Sequence, residues 1–243
     1  MPYARKRRRR RKKSYKTRKR RFRKKMGIPN GMPSQTRLVN LRFAYRGRIN
    51  DVGPYLRHYT VRANSARNPT GYSGEPIGGV QPLLFDNLAK LYKKVMVVGS
   101  KITFYVTPAA AGSGASAVGQ ASQILAGVYL SKQPDAGFDS ITDYITAKRG
   151  TYKSISFQRN QTKLTSTFSM KKFYNLTDVK DNQHDFSENT QQDDGQPNRM
   201  AYYQIYAQNI NTGDTRTTDL PFMYTLDMTC VFSVPRDIQD VIG

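Results

Sequence analysis

Residues 221–234 read PFMYTLDMTCVFSV. Phe222, Tyr224, Leu226, Met228, Cys230, Phe232 and Val234 are apolar or aromatic at every second position. Successive side chains of a strand point to opposite faces, so this period of two predicts a long β-strand with one buried face. A strand patterned over that length belongs in the middle of a sheet, with partners on both sides.

The same period recurs upstream. Val39, Leu41, Phe43 and Tyr45 alternate with Asn40, Arg42, Ala44 and Arg46, and Arg48 follows on the polar side. Tyr55–Ala63 carries Tyr59, Val61 and Ala63 on one side. Val95–Thr107 alternates Ile102, Phe104 and Val106, with Gly99 marking a bulge or a close backbone approach. Ile124–Leu130, Tyr152–Phe157, Lys163–Phe173 and Ala201–Ala207 complete the strands. Apolar spacing predicts short helices at Phe85–Tyr92, capped by Asp86, and at Phe138–Ile145. Asn50–Pro54 is a turn. Asn64–Gln81, the small-residue stretch Pro108–Ser122 and the acidic stretch Asn175–Asn198 are loops, the last a solvated surface loop. Eight strands, few helices and no repeating βα unit predict an all-β, eight-stranded jelly-roll sandwich over residues 37–243.

The charge lies elsewhere. The chain carries +23 over 243 residues, yet residues 1–25, MPYARKRRRRRKKSYKTRKRRFRKK, hold ten Arg, seven Lys and no acid. The remainder is close to balanced, 23 basic against 17 acidic residues. So dense a block of like charge cannot offset its ordering entropy by burying apolar area, and the arm is expected to be disordered alone. It calls for a polyanion: nucleic acid, an anionic membrane or an acidic protein. The arm has no apolar face to insert, and no stretch approaches the roughly 20 apolar residues of a spanning helix. No apolar segment of a secretory signal follows it. A nuclear-import signal needs about five to eight basic residues, so import is an added use of a longer run.

Nucleic acid is the expected partner. The candidate contacts in the arm are Arg5, Lys6, Arg7, Arg8, Arg9, Arg10, Arg11, Lys12, Lys13, Lys16, Arg18, Lys19, Arg20, Arg21, Arg23, Lys24 and Lys25. Tyr3, Tyr15 and Phe22 are interspersed among them, where aromatic rings can stack on unpaired bases. Residues 26–36, MGIPNGMPSQT, read as a hinge. Beyond it, Arg42, Arg46 and Arg48 share the polar face of the first strand and extend the basic surface.

No constellation points to catalysis. His58 and His184 are far apart, without a neighbouring Cys, and no H-x-H occurs. Val98–Thr103 lacks the G-x-x-x-x-G-K-[ST] frame of a phosphate loop, and the acidic stretch lacks EF-hand spacing. The single Cys230 excludes an intramolecular disulfide and falls in an apolar alternation, as a buried structural thiol does. Asn160 and Asn175 open glycosylation sequons that have no use without secretion. The sequence therefore predicts a binding and structural protein, with no enzyme activity, no cofactor and no metal.

A basic arm, a Gly/Pro hinge, an arginine-lined strand and an eight-stranded sandwich form a plan that resembles the capsid proteins of small circular single-stranded DNA viruses, such as circoviruses. The local match is LAKLYKKVMVVGSKITFYV, Leu88–Val106, joined by the overall length and a closing alternating strand that ends Val234-Pro235. The resemblance implies a jelly-roll subunit, sixty copies in an icosahedral T=1 shell, an arm directed at the viral single-stranded DNA, and assembly in the host nucleus before release in the virion. It implies as partners single-stranded nucleic acid, further copies of the chain and nuclear import receptors, with no membrane. It also implies that the first strand lies in the sheet nearest the shell interior, which makes Arg42, Arg46 and Arg48 genome-facing. The same design serves coat proteins of small RNA and satellite viruses, and a ribosomal-type RNA-binding protein is a third reading. Charge does not distinguish DNA from RNA, since both offer phosphate.

Overall fold

The computed structural model describes residues 35–53, 55–70, 81–106, 124–135, 137–147, 150–155, 161–179, 183–190, 196–210 and 218–236. Within them the chain forms β1 (Thr36–Val52), β2 (Arg57–Arg62), α1 (Phe85–Ala89), β3 (Tyr92–Val106), β4 (Ile124–Ser131), α2 (Ile141–Thr146) and β5 (Gly150–Ile155). Then follow β6 (Thr162–Ser169), α3 (Met170–Phe173), α4 (Gln183–Phe186), β7 (Ser187–Asn189), β8 (Tyr202–Asn209) and β9 (Thr218–Pro235). The basic arm, most of the hinge and the 108–122 loop lie outside the described residues.

The strand with the unbroken alternation, β9, is central as expected. It pairs antiparallel with β1 on one side and β3 on the other, within a sheet ordered β1-β9-β3-β6. The second sheet is ordered β2-β8-β4-β5. Leaving aside the three-residue β7, which adds to β3, the antiparallel pairs include β1·β9, β2·β8, β3·β6 and β4·β5, and β3·β9 and β4·β8 join them into the two sheets. First pairs with last, second with second-last, and the chain passes repeatedly between the two sheets. This wrapped pairing is the jelly roll.

Burial follows the period. On β9, Leu220, Phe222, Tyr224, Leu226, Met228, Cys230 and Phe232 are buried, as are Leu41, Phe43 and Ile49 on β1. The core between the sheets contains a cluster of aromatic rings. Tyr59 and Phe222 lie 5.1 Å apart across it, and Phe104 and Phe222 lie 5.4 Å apart. Cys230 is fully buried, and burial pushes its thiol well above the ordinary range, which makes it inert. Gly99 stands at the β3 bulge, where the register against β9 shifts between Val97 and Gly99.

The second sheet is buried on both faces at β8, every residue of which is buried, while β5 at its edge stays largely exposed. Residues 132–135 and 137–147 cover the outer side of β8 and β4. Gln204 Nε2 donates to the Pro134 carbonyl at 2.7 Å, and the Ile141 N–H donates to Gln208 Oε1 at 2.8 Å. Helix α2 lays Tyr144 onto the sheet, 4.9 Å from Tyr206 and 5.8 Å from Tyr129. The Tyr144 hydroxyl donates to the Thr151 carbonyl at 2.9 Å. Glycine at 127 and 150 makes room for that ring, since a Cβ at either position would meet Tyr144 atoms.

Four expectations are corrected. Asp86 does not cap α1: the cap position is Leu84, left-handed at φ 78, which places Asp86 inside the first turn. The strand expected to reach Phe173 ends at Ser169, because the consecutive Lys171 and Lys172 break the alternation and Met170–Phe173 coils into α3. The turn at 50–54 starts later, since β1 continues to Val52 through a register shift after Ile49, with Asp51 at φ 53. Within the stretch 175–198, α4 and β7 are ordered elements, and Phe186, Glu188 and Thr190 are buried where a solvated loop was expected.

Candidate nucleic-acid interface

The outer face of the β1-β9-β3-β6 sheet differs from that of its partner. Alternation on β1 turns Asn40, Arg42, Ala44, Arg46 and Arg48 outward, and all five are exposed. The three arginines predicted from sequence therefore share one surface, as the period requires. Arg42 and Arg46 are four residues apart, about 13 Å along the strand.

The ladder register extends this surface into rows across the sheet. Arg42 lies opposite Asp227, which lies opposite Lys101, which lies opposite Thr167. Arg46, Met223, Tyr105 and Lys163 form a second row. Between them runs Ala44, Thr225, Thr103 and Thr165, a line of short and mostly hydroxylated side chains. Cations thus stand on both rims of a low trough. A shallow groove beside the first row is lined by Asn40, Arg42, Gly99, Lys101, Thr167, Asp227 and Thr229, among others. At the far edge, Lys163 places its ammonium 5.7 Å from the Tyr105 ring centroid, and Lys153 Nζ donates to the Lys163 carbonyl at 2.9 Å.

Two of the three predicted arginines are already engaged. Arg42 Nε donates to Asp227 Oδ1 at 2.5 Å, and this hydrogen bond to the carboxylate raises the guanidinium pKa. Arg48 Nη1 donates to Asp219 Oδ2 at 3.1 Å, and the other Asp219 oxygen accepts from the Asp51 N–H. Arg46 has no carboxylate partner among the described residues. These carboxylates come from the outward side of β9, the strand whose inward side defined the fold. The arm residues Arg5 to Lys25 lie outside the described residues.

Sequence reasoning missed Lys101, Lys163 and Tyr105. The signal was present, because Lys101, Thr103 and Tyr105 alternate with the core residues Ile102, Phe104 and Val106 just as the arginines alternate on β1. The histidines form no site here. His184 is almost wholly exposed, 3.7 Å from Asp185, and His58 is exposed beside Tyr206 at 6.0 Å.

No protein-family model matches the chain, and no curated protein sequence matches it. Solved structures to which it is similar include Desmodium yellow mottle tymovirus, at 11% identity and TM-score 0.39, covering 88% of this chain and 97% of that one. The decameric BFDV capsid protein is similar at 10% identity and TM-score 0.40, covering 81% and 99%. Mud crab tombus-like virus is similar at 13% identity and TM-score 0.42, covering 86% and 94%. The functional reading rests on this chain's own residues.

Proposed function

We propose that this chain is a viral capsid protein, sixty copies of which close into an icosahedral shell around a circular single-stranded DNA genome. The arm neutralises the genome and the jelly roll builds the container. One observation carries the reading: an arm of 17 cations without a single acid leads, through ten residues, into β1, the edge strand of the sheet whose outer face exposes Arg42, Arg46, Arg48, Lys101 and Lys163 among the described residues. On the opposite sheet, α2 and its aromatic cluster cover β4 and β8.

The mechanism is electrostatic. Sixty arms bring on the order of a thousand positive charges into one enclosed volume, the scale of a small genome's phosphates. Without such counter-charge, packing those phosphates together would be prohibitive at a screening length of about 8 Å. Arginine dominates the arm because its planar fork binds phosphate through two parallel hydrogen bonds, without reading bases. Arg46, Lys101 and Lys163 then receive the strand at the shell's inner surface, with Thr165 and Thr225 offering hydroxyl donors between them. Nuclear assembly follows if the arm also serves as the import signal.

Expression of the full chain, with electron microscopy and extraction of the particle contents, tests this. The expected result is a uniform small shell whose nucleic acid resists nuclease until the shell is opened. DNase-sensitive contents support the DNA reading, and RNase-sensitive contents transfer the same mechanism to an RNA-virus coat protein. Deleting residues 1–25 is expected to leave a folded body that packages nothing. Filled particles from the truncated chain, or a lone subunit from the full one, would overturn the proposal.

A further inference from the structure

The row Arg46, Met223, Tyr105 and Lys163 differs from the other rows on the outer face of the β1-β9-β3-β6 sheet. Its two end positions are exposed cations, and its two middle positions are large and uncharged. Tyr105 and Met223 stand opposite each other in the ladder, both half-buried. Neither can enter the core, because the inward sides of β3 and β9 are filled by Ile102, Phe104, Val106, Phe222 and Tyr224. A half-exposed ring beside a thioether, in the middle of a charged face, leaves apolar surface that a covering group would remove from water. Phosphate contacts alone make no use of it.

The ring lies low on the sheet. Thr103 faces outward two residues before Tyr105 on β3, yet it is buried, and Tyr105 is the largest side chain beside it. The Tyr105 hydroxyl also comes close enough to Arg42, on the opposite rim of the trough, for the two groups to interact. Arg42 is two strands over and four residues back, roughly 10 Å and 13 Å away in those directions. Reaching it requires the ring to lean across the trough, over the short Thr103 and Thr225, with one face toward solvent. Cations surround that face. The Lys163 ammonium is 5.7 Å from the ring centroid, Arg46 follows Met223 along the row, and Lys101 stands on the first row. Asp227, the acid of these three rows, is held by Arg42.

We propose that Tyr105, with Met223 beside it, is a stacking platform for an unpaired nucleobase. The platform rests on the packaging function proposed above and deepens it: Arg46, Lys101 and Lys163 take phosphates while the ring takes a base between them. Every base has a π-face, so stacking adds affinity without reading sequence. It does select strandedness. Charge alone favours a duplex, whose phosphates are twice as dense along the axis as those of either strand. In a duplex, however, the base faces are stacked on one another and only their edges reach the grooves. A double helix therefore meets the cations and leaves the ring uncovered, whereas a single strand satisfies both.

Three fluorescent probes of equal phosphate number separate base from charge when their affinities for the full-length chain are measured at one salt concentration. They are an oligodeoxythymidylate, an abasic oligodeoxynucleotide and a duplex hairpin. Tyr105→Ala is expected to weaken thymidylate binding about five- to hundredfold and to leave the other two within about twofold. Tyr105→Phe should behave as the wild type, because it keeps the ring. Equal loss with all three probes, or no loss with thymidylate, overturns the platform. Should Tyr105→Ala fail to fold, a single strand carrying iodouracil decides on the wild-type chain. Photo-crosslinks to Tyr105 support the platform, and crosslinks confined to Tyr3, Tyr15 or Phe22 of the arm overturn it. Failure of the packaging function looks different, since the wild-type chain would then bind none of the three probes, and the platform would fall with it.

Discussion

At the scale of single residues, the candidate interface is a set of cations partly spoken for. A phosphate approaching Arg42 or Arg48 must compete with Asp227 or Asp219, which already hold those guanidinium groups at 2.5 and 3.1 Å. Both pairs are exposed, so they add little to stability and much of their effect falls on charge available to a ligand. Replacing both carboxylates in the double variant Asp219→Asn, Asp227→Asn is therefore expected to leave the fold intact and tighten oligonucleotide binding. The slope of log affinity against log salt should steepen by about 0.7 to 1.4, the value for one or two more phosphates neutralised on a single strand. Arg46→Ala should flatten it by about 0.7, because that arginine has no competing acid among the described residues. Fluorescence anisotropy with a labelled oligodeoxynucleotide over a salt series measures both. Identical slopes in all three proteins would remove this face from the binding surface.

At the scale of elements, the cover over β4 and β8 depends on α2. Its first turn is fixed by a capping box, in which the Ser140 side chain accepts from the Asp143 N–H and Asp143 accepts from the Ser140 N–H. Its docking depends on the Tyr144 ring lying over two glycines. Ser140→Ala is expected to cost about 1 kcal/mol. Gly127→Ala and Gly150→Ala should each cost about 1–3 kcal/mol, because the new methyl would overlap a buried ring. Urea unfolding midpoints check all three, and a neutral glycine substitution would mean that α2 lifts away freely. The sequence displayed some of this architecture and hid the rest for physical reasons. Both long edge-to-centre strands were legible, because one-sided burial leaves the period of two in β1 and β9. Strand β8 shows the same alternation, yet its Gln204 and Tyr206 are buried as well, since Gln204 Nε2 donates to the covering segment and the Tyr206 hydroxyl donates to Gln204 Oε1. Glu188 was invisible as a buried group. Three residues of β7 carry no period, and the partners that admit its carboxyl come from Ser65–Arg67, more than a hundred positions away. The arginines of β1 were legible and their acidic partners were not, because pairing across strands depends on register, which no single strand encodes.

At the scale of the whole molecule, the proposal divides the work between two parts with unlike charge. Residues 1–25 carry 17 positive charges, while the other 218 residues carry 23 basic against 17 acidic. If the arm supplies the binding and the body contributes a few contacts on one face, the two parts must differ in salt response as well as in affinity. Seventeen neutralised phosphates on a single strand give a slope of about −12 in log affinity against log salt, whereas three or four contacts give about −2 to −3. Raising salt from 0.1 to 0.3 M should then weaken the full chain by about six orders of magnitude and the 26–243 body by only about tenfold to thirtyfold. The two binding curves should converge as salt rises, because at high salt the arm's advantage is screened away while the body's shape is unchanged. Oligonucleotides of mixed sequence should behave alike, since phosphate contacts carry no base information. A full-length slope as shallow as the body's would mean that the cations of the arm do not meet phosphate at all. The acidic partner of residues 1–25 would then have to be a protein surface.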